Sequence, residues 1–550
     1  MSQKVIKDSV HGYISLEPLF AFIIDTPEFQ RLKSIEQGSF RVLYPAARHD
    51  RFIHSLGTLH LAKKFAANFI SNIREDLEIT IPENELNRIE TTFYYASLLH
   101  DIGHAPFSHT TENLFKRKTS QYGIEINKRL FDAIQKTDPE QYEMFETDFG
   151  GCSPSAHEII SAIILIEHSN LFLNLEHDCV DLILAARMVL GCTYDYNTLA
   201  PTDIEEQKLF GIKNCFIRLL NSDTIDVDKM DYITRDTQMS GFYNVPIDID
   251  RLVKSVTAIS KDGGWLYPAF RKNALSVIDN VFRAKIEQGL WMVSHPIVLY
   301  DSELLAHCII SLNSLIDKNY ISDVFSLEAL SRNGILRNCK KKFSLLSKCK
   351  KSYRLLNDID ISSDIRAFYD ESDLIKELFE RQSRRHPVWK SYFEYKYIFN
   401  TNDTQSLDER VFVFFKSLVD YLKNSELFVI DEKIYARVVS DSNATDDVKN
   451  AATFLKSFSE KQHIPFDFVL LSTSNSFSPK FNPEFVYISF GNLPKRNNCN
   501  YETYKFLKGS NEENTKRLFY LYSRTRFSID IIESFKTELA SLTKEPKLRV

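Results

Sequence analysis

Three separated segments of this chain carry histidines and acids at spacings that suit a metal-bound water. The first is Arg51-Phe-Ile-His54. The second runs from Phe93 to His109, where an apolar stretch closes on His100-Asp101 and His104 and His109 follow. The third is Asp226-Val-Asp228-Lys229-Met-Asp231-Tyr232. Imidazole nitrogens and carboxylate oxygens with open positions suit Mn, Fe, Mg, Ni or Zn, and such an ion polarises a phosphoryl oxygen and acidifies bound water. The expected ligands are His54, His100, Asp101 and Asp228, with Asp226 and Asp231 open as alternatives to the last.

The His-Asp dipeptide by itself is uninformative, because it also occurs at 49–50 and 177–178. His49-Asp50 reads as part of a polar loop after Pro45. His177-Asp178 reads as the solvated start of an amphipathic helix. Only His100-Asp101 ends an apolar helix and is followed by Gly103 and Pro106, which stop the helix and open a turn.

Around these ligands, His109 and Glu112 lie three apart and face the same way on one helical turn. Glu112 can therefore fix the tautomer of a His109 that moves protons. His104 and His157 are candidate donors to developing oxyanion charge. Arg51 and Lys229, each beside an expected ligand, are candidate phosphate-binding cations. The bland readings are a helix-capping or core histidine for each imidazole and a core aromatic for Tyr232.

The elements that must position these groups read as helices. Leu56–Ile70, Thr91–Leu99, Ala156–Glu167, Cys179–Leu190 and Gln207–Leu220 carry helical periodicity, as do Ala269–Ser294 and residues 526–542. Thr26-Pro27 fits a helix start that puts Phe29, Leu32 and Ile35 on one face. Residues 261–267 read as a hairpin turn, and 464–490 as strands of a small sheet near the C-terminus. The predicted fold is mainly α, a helical core with a smaller α+β C-terminal region containing a short antiparallel sheet. Its expected parts are a phosphohydrolase core over 1–300, a helical extension over 301–460 and a small α+β region over 461–550.

Composition narrows the function classes. With 43% hydrophobic and 26% charged residues the chain reads as a soluble globular protein. A net charge of −6 gives no support for nonspecific nucleic-acid binding. The lysines clustered over 331–352 read mainly as a solvated face and secondarily as a nucleotide or nucleic-acid patch. Neither a signal peptide nor an apolar run of the ~18–20 residues a membrane span needs is seen. Eight scattered cysteines without a C-x-x-C favour a reducing cytoplasm. Ten of the fourteen histidines precede residue 178, which concentrates the chemistry in the N-terminal third.

Lys4–Gly12, Ile24–Leu32, Arg51–Gly57, Leu99–His109 and Ile225–Tyr232 together resemble, in order, the motifs of HD-domain deoxynucleoside triphosphate triphosphohydrolases. The similarity is dense over about 1–300 and faint over 464–540. It implies an HD-domain helical core, metal ligands at His54, His100, Asp101 and Asp228, and an acid/base pair at His109 and Glu112. It further implies phosphate contacts from His104, His157, Arg51, Lys229 and Lys285, and sugar contacts from Gln37, Tyr232 and Asp236. Members release a nucleoside and intact triphosphate, assemble as homo-oligomers of four or more copies, and bind an activating or inhibiting nucleotide. The regulatory candidates here are Lys4, Asp25, Gln30 and Lys33. Where the family has Gln-Leu beside the sugar, this chain has Gln37-Gly38, and Val293 stands for an aromatic residue. Both changes imply weaker rejection of a ribose. Another phosphohydrolase of the same domain type, or a non-catalytic nucleotide sensor, is the alternative. A role in depleting nucleotides for antiviral defence is conceivable on the resemblance alone.

Overall fold

The computed structural model describes residues 3–543 except 80, 118–119, 174–178, 198, 200, 202, 262, 317, 319, 326–354, 400–405, 473–484, 491–497 and 501–517. The lysine cluster over 331–352 and the His177-Asp178 pair therefore lie outside the described residues. The chain divides into two compact units. Unit 1 comprises Met1–Gln288, Leu312–Asp364 and Pro479–Lys508; unit 2 comprises Gly289–Ser311, Ile365–Ser478 and Gly509–Val550. Neither is one continuous stretch.

The strands are β1 (Lys4–Asp8), β2 (Gly12–Leu16), β3 (Val256–Lys261), β4 (Trp265–Arg271), β5 (His386–Pro387), β6 (Ile430–Asp431), β7 (Asp467–Ser472), β8 (Tyr487–Ser489), β9 (Asn498–Asn500) and β10 (Phe519–Ser523). The helices that matter in unit 1 are α1 (Arg51–Leu77), α2 (Glu83–Leu99), α3 (His109–Arg117), α4 (Ala156–Glu167), α5 (Leu182–Leu190), α6 (Ile204–Leu220), α7 (Val227–Ser240) and α8 (Leu275–Gln288).

Unit 1 is built around α1. The Asp50 carboxylate caps its first turn by accepting from Ile53 N at 3.0 Å, and the helix ends at Glu78 in the left-handed region with φ 52°. Its 27 residues span about 40 Å. Leu56, Leu59, Leu61, Ala62, Phe65, Ala66 and Phe69 are fully buried, which leaves little of the helix facing water. Helices α2 and α7 and strand β3 pack against it, and α4, α5 and α2 form a second layer. Tyr95 on α2 is buried and donates its hydroxyl to Leu165 O on α4 at 2.9 Å, which satisfies the one polar atom that apolar packing would strand. Strands β1 and β2 form a hairpin that turns at Gly12, whose φ of 79° suits a residue without Cβ. A second sheet has the order β3-β4-β8-β9, with β8 parallel to β4.

Unit 2 is held by an aromatic cluster. Trp389, Tyr395, Phe399, Phe415 and Phe519 are buried with ring centroids 4.9–6.0 Å apart in the pairs Trp389–Tyr395, Trp389–Phe399, Tyr395–Phe519 and Phe415–Phe519. Trp389 Nε1 donates to Phe519 O at 2.7 Å. An antiparallel sheet of order β5-β10-β7-β6 packs against α9 (Leu407–Asn424), on which α10 (Asp446–Gln462) and α11 (Ile529–Leu542) pack in turn.

The protein is mainly α, as its periodicity predicts, but several boundaries differ. The helix expected from Ala269 begins at Leu275, because Ala269–Arg271 finish β4 and Lys272–Ala274 form a 3-10 turn. The helix expected from Cys179 begins at Leu182, capped by the Asp181 carboxylate on Leu184 N at 2.9 Å. The strand signals of 464–490 divide between two sheets, β7 in one and β8 in the other. Thr26 caps a single turn, Pro27–Gln30, and Phe29, Leu32 and Ile35 are all fully buried. No helix among the described residues is long and apolar enough to cross a membrane.

Truncating Phe65, fully buried in the middle of α1, removes a ring from unit 1's central packing. Phe65→Ala is expected to lower the unfolding free energy of that unit by about 3–5 kcal/mol. A shift of the denaturant midpoint at unchanged slope is the readout; a loss below about 1 kcal/mol would show that α1 is not central.

Candidate active site

Helix ends set the site. The first turn of α1 presents Arg51 and His54, and the C-terminal end of α2 presents His100 and Asp101. The first turns of α3, α4 and α7 present His109 with Glu112, His157 and Asp228. Aligned peptide dipoles make such N-terminal ends electropositive, so four helix starts bias this region towards anions. Asp226 caps α7 by accepting from Lys229 N at 2.8 Å, and Ser155 with Glu158 forms a capping box on α4.

The histidine tautomers follow from their outer hydrogen bonds. His100 Nδ1 lies 2.8 Å from the Ser97 carbonyl, which can only accept, so Nδ1 carries the proton. His54 Nδ1 lies 2.7 Å from Asp231 Oδ2. Burial alone would raise the Asp231 carboxyl, but Arg235, His11 and His54 hold it well below the carboxylate range, so it too accepts. Both Nε2 lone pairs therefore point inwards, 3.3 Å apart. Asp228 Oδ1 stands 3.0 Å from His54 Nε2 and 3.5 Å from His100 Nε2. Asp101 approaches the same nitrogens at 3.5 Å each.

Lone pairs and carboxylates facing one another need a cation between them. Metal–nitrogen bonds of about 2.0–2.1 Å place adjacent ligand nitrogens about 3 Å apart, close to the spacing here. His54, His100 and Asp228 are thus grouped so as to hold a divalent ion, while Asp101, bonded to Arg51, groups with His104 and His157 and stands 3.5 Å from the two inner nitrogens. Without that cation a proton takes its place: burial would depress His54, yet bonds to Asp228 and Asp231 outweigh it and push the imidazole up to about 10. Of Asp226, Asp228 and Asp231, Asp228 alone faces the Nε2 edges. Asp231 lies behind His54, and Asp226 is bonded to the Lys229 ammonium.

A second group of side chains adjoins the first through Asp101. His104 Nε2 is 3.1 Å from Asp101 Oδ1 but out of line for a hydrogen bond, and its Nδ1 is buried without a partner among the described residues. Burial, with Arg51 and His157 close by, holds this imidazole well below its usual value, so it is neutral. The His157 ring stacks on it at 3.8 Å between centroids. Glu112 bridges His109 Nδ1 at 3.0 Å and His157 Nδ1 at 3.2 Å. Burial would raise the Glu112 carboxyl, but these two imidazoles keep it ionised. His109 stands at the open edge, with its side chain 64% exposed. An exposed imidazole oriented by a half-buried carboxylate can exchange protons with a neighbouring group.

Both expected phosphate-binding cations are buried and paired. Arg51 donates to Asp101, to Ser108 Oγ at 2.8 Å and to the Gln37 carbonyl at 3.2 Å. The Lys229 ammonium is bonded to Asp226 and to the Ser222 carbonyl at 2.6 Å. The Lys285 ammonium donates to the Tyr232 hydroxyl, and burial, with Lys229 nearby, pushes it down to about 8. Asp236 accepts from His49 at 2.6 Å and from Gln288 at 2.7 Å, while Gln37 Oε1 is buried without a partner among the described residues. The four regulatory candidates pair among themselves: Lys4 with Asp25 at 2.7 Å, and Lys33 with Gln30 at 2.8 Å.

Two expectations from the sequence are corrected. His49-Asp50 does lie in the loop before α1, but it is engaged rather than solvated: Asp50 caps α1 and buried His49 binds Asp236. Gly38 does not leave an open space, because a Cβ there would lie 2.1 Å from the Phe40 ring. Val293, by contrast, is 48% exposed at the end of the π-helical stretch Gly289–Val293.

Sequence reasoning also missed the carboxylate hub. Asp231 accepts from His54, from His11 Nε2 at 2.6 Å, and from Arg235 at 2.7 and 2.9 Å; Arg235 in turn donates to Asp8 at 2.8 Å. The available signal was a charged pair at i,i+4 on a helix face that also carries buried Val227, Met230 and Ile233. Asp358 is a second miss. Its carboxylate accepts from Phe107 N and from Glu36 N at 2.6 and 2.8 Å.

With this geometry in hand, residues 51–170 match the model of the HD domain. Over that segment the chain is similar to HD domains. Curated relatives include an uncharacterized protein of Methanocaldococcus jannaschii, 27% identical over 61% of this chain and 55% of that one. The SAMHD1 homolog of Dictyostelium discoideum, a deoxynucleoside triphosphate triphosphohydrolase, is 28% identical over 46% of this chain and 39% of its own. Human SAMHD1, named for the same activity, is 41% identical over 21% of this chain and 17% of its own. The chain thus spans about half or less of the length of these relatives. The fold is shared with the crystal structure of a hypothetical protein from Aquifex aeolicus, at a TM-score of 0.54 and 16% identity over 98% of this chain and all of that one.

The hub also fixes a glycine. A Cβ at Gly57 would sit 1.9 Å from Asp231 Oδ1 and 2.3 Å from Arg235 Nη2. Gly57→Ala is therefore expected to leave helical circular dichroism intact while weakening Mn binding by roughly 10–100-fold, the usual worth of a group that orients a metal ligand. Unchanged Mn affinity by calorimetry would show that Asp231 does not orient His54.

Proposed function

We propose that this chain is a metal-dependent hydrolase of deoxynucleoside and nucleoside triphosphates that releases a nucleoside and inorganic triphosphate. The observation that carries this reading is the cation-demanding nest of His54, His100, Asp101 and Asp228 beside an imidazole trio anchored by one ionised carboxylate. The activity for which the relatives are named supports the substrate class. When bound, a divalent ion supplies positive charge for a phosphoryl oxygen and lowers the pKa of a water.

The chain's own residues do the rest. The electropositive starts of α3, α4 and α7, with Arg51, Lys229 and Lys285, favour a polyanion at this position. Neutral His104 offers an N–H group to oxygens that gain charge at the α-phosphorus, and His157, held through Nδ1 by Glu112, contacts the same phosphate. A water oxygen bonds to the α-phosphorus and the bond from phosphorus to the 5′ oxygen breaks. His109, charged in this step and held through Nδ1 by Glu112, gives its Nε2 proton to that leaving oxygen. Gln37, Tyr232 and Asp236 take the sugar. The Phe40 ring, occupying the space that Gly38 leaves, walls it.

The deciding experiment incubates the protein with each of the eight common NTPs and dNTPs in Mn and in Mg and separates the products. Nucleoside plus triphosphate is expected. Monophosphate with pyrophosphate, diphosphate with phosphate, or no turnover with either metal would each overturn the proposal.

His109→Ala is expected to keep Mn and nucleotide binding while kcat falls by roughly 10²–10⁴-fold. A change confined to KM would make His109 a binding residue. Phe40→Ala is expected to narrow the kcat/KM preference for dGTP over GTP by about tenfold or more, since it opens room for a hydroxyl. An unchanged ratio would remove Phe40 from the sugar wall.

A further inference from the structure

Unit 1 contains a cavity of about 490 Å³ that the reading above does not use. This lies within the range of about 300–1,000 Å³ over which small-ligand sites fall. It opens where α6 ends and the loop to α7 begins, facing β4 and β8. Arg218, from the last turn of α6, lines it. Its Nη1 is buried and has no hydrogen-bond partner among the described residues. The guanidinium lies over the Tyr267 ring at 4.9 Å, and the Tyr487 ring meets Tyr267 edge-on at 5.6 Å.

Asn221, Ser222 and Thr224 of the wall are already engaged. Asn221 Nδ2 donates to Glu158 Oε1 at 3.0 Å and to Val189 O at 2.8 Å, and Ser222 Oγ is 3.0 Å from Thr224 Oγ1. The unspent capacity is thus one charged donor beside an aromatic wall. A buried N–H of a guanidinium is costly to leave unmet, and an anionic oxygen meets it best. Half-buried Tyr267 and exposed Phe485 also line the wall, and an aromatic surface suits a flat ring. A polyphosphate fits poorly, because Arg218 is the single cation among the described residues of the wall while Glu158 and Asp223 both line it.

We propose that this cavity is a binding site for a planar heteroaromatic ligand of nucleoside size that carries one anionic group. The site is distinct from the metal nest, although Glu158 and Ser222 tie its wall to α4 and to Lys229. The test is calorimetric titration of the full chain with AMP, GMP and adenosine. Wild type is expected to bind AMP or GMP at one saturable site and adenosine at least tenfold more weakly. Arg218→Gln is expected to weaken the monophosphate by tenfold or more. Ser153→Trp, at an exposed position of the cavity's rim, is expected to block it, and Asp228→Ala is expected to leave it in place. Matching circular dichroism and melting midpoints serve as the folding control, and Ser153→Trp carries the test if Arg218→Gln fails it. Three outcomes overturn the proposal: no heat at millimolar ligand, equal affinity in the Arg218 and Ser153 variants, or a loss confined to Asp228→Ala, which would place the ligand at the metal nest. Heat is read directly, so the result stands apart from whether the chain hydrolyses triphosphates.

Discussion

The buried Asp231 carboxylate joins three parts of the chain that are far apart in sequence. Its two oxygens accept from His54 on α1, from His11 beside the β1–β2 turn and from Arg235 one helical turn along α7. Asp8 takes a further Arg235 N–H, so acids and bases in this group neutralise one another away from water. Burying charges is expensive unless each is paired and hydrogen-bonded. That condition makes the hub intolerant of displacement. It also explains why α1 carries glycine at 57, where α7 comes too close for any side chain. The orientation of the His54 ring is a by-product of charge balance several residues away.

The turn between α2 and α3 shows a second constraint. Phe107 and Ser108 both adopt the left-handed region, with φ of 61° and 52°, which costs an L-residue about 1–2 kcal/mol each. The cost is offset by bonds made only in this conformation: Asp358 on Phe107 N, and the Ser108 hydroxyl between Arg51 and the Glu36 carbonyl. Burial pushes the Asp358 carboxyl up to about 7, which measures how far it was drawn from water to hold this turn. Gly103 in the same turn packs so closely on α4 that a Cβ would lie 2.5 Å from Ser161 N. The turn sets where His104 and His109 sit, so strain here is part of how the imidazoles reach one place.

Fold and site are thus mutually dependent through electrostatics rather than through shape alone. Converging lone pairs and carboxylates repel one another, and the protein holds them together by apolar packing of α1, α2 and α7 behind them. A cation in the nest relieves that repulsion and stabilises the folded state in proportion to its binding.

The sequence by itself determined the local parts. The apolar periodicities of α1, α2, α4 and α6 are visible because a helix facing a core must repeat its apolar residues every three to four positions. His54, His100-Asp101 and Asp228 stood out by residue type, and His109 with Glu112 by helical spacing. What the sequence could not decide is which distant groups meet. Asp226, Asp228 and Asp231 are equivalent in composition; only the packing of α7 on α1 turns Asp228 to the Nε2 edges and Asp231 to the Nδ1 side. Likewise β7 and β8 carry the same strand signal, yet they join different sheets, since pairing depends on which edge is free after folding. Gly38 read as an opening because a missing side chain looks like space in a sequence. In three dimensions the ring of Phe40, two residues on, already fills it.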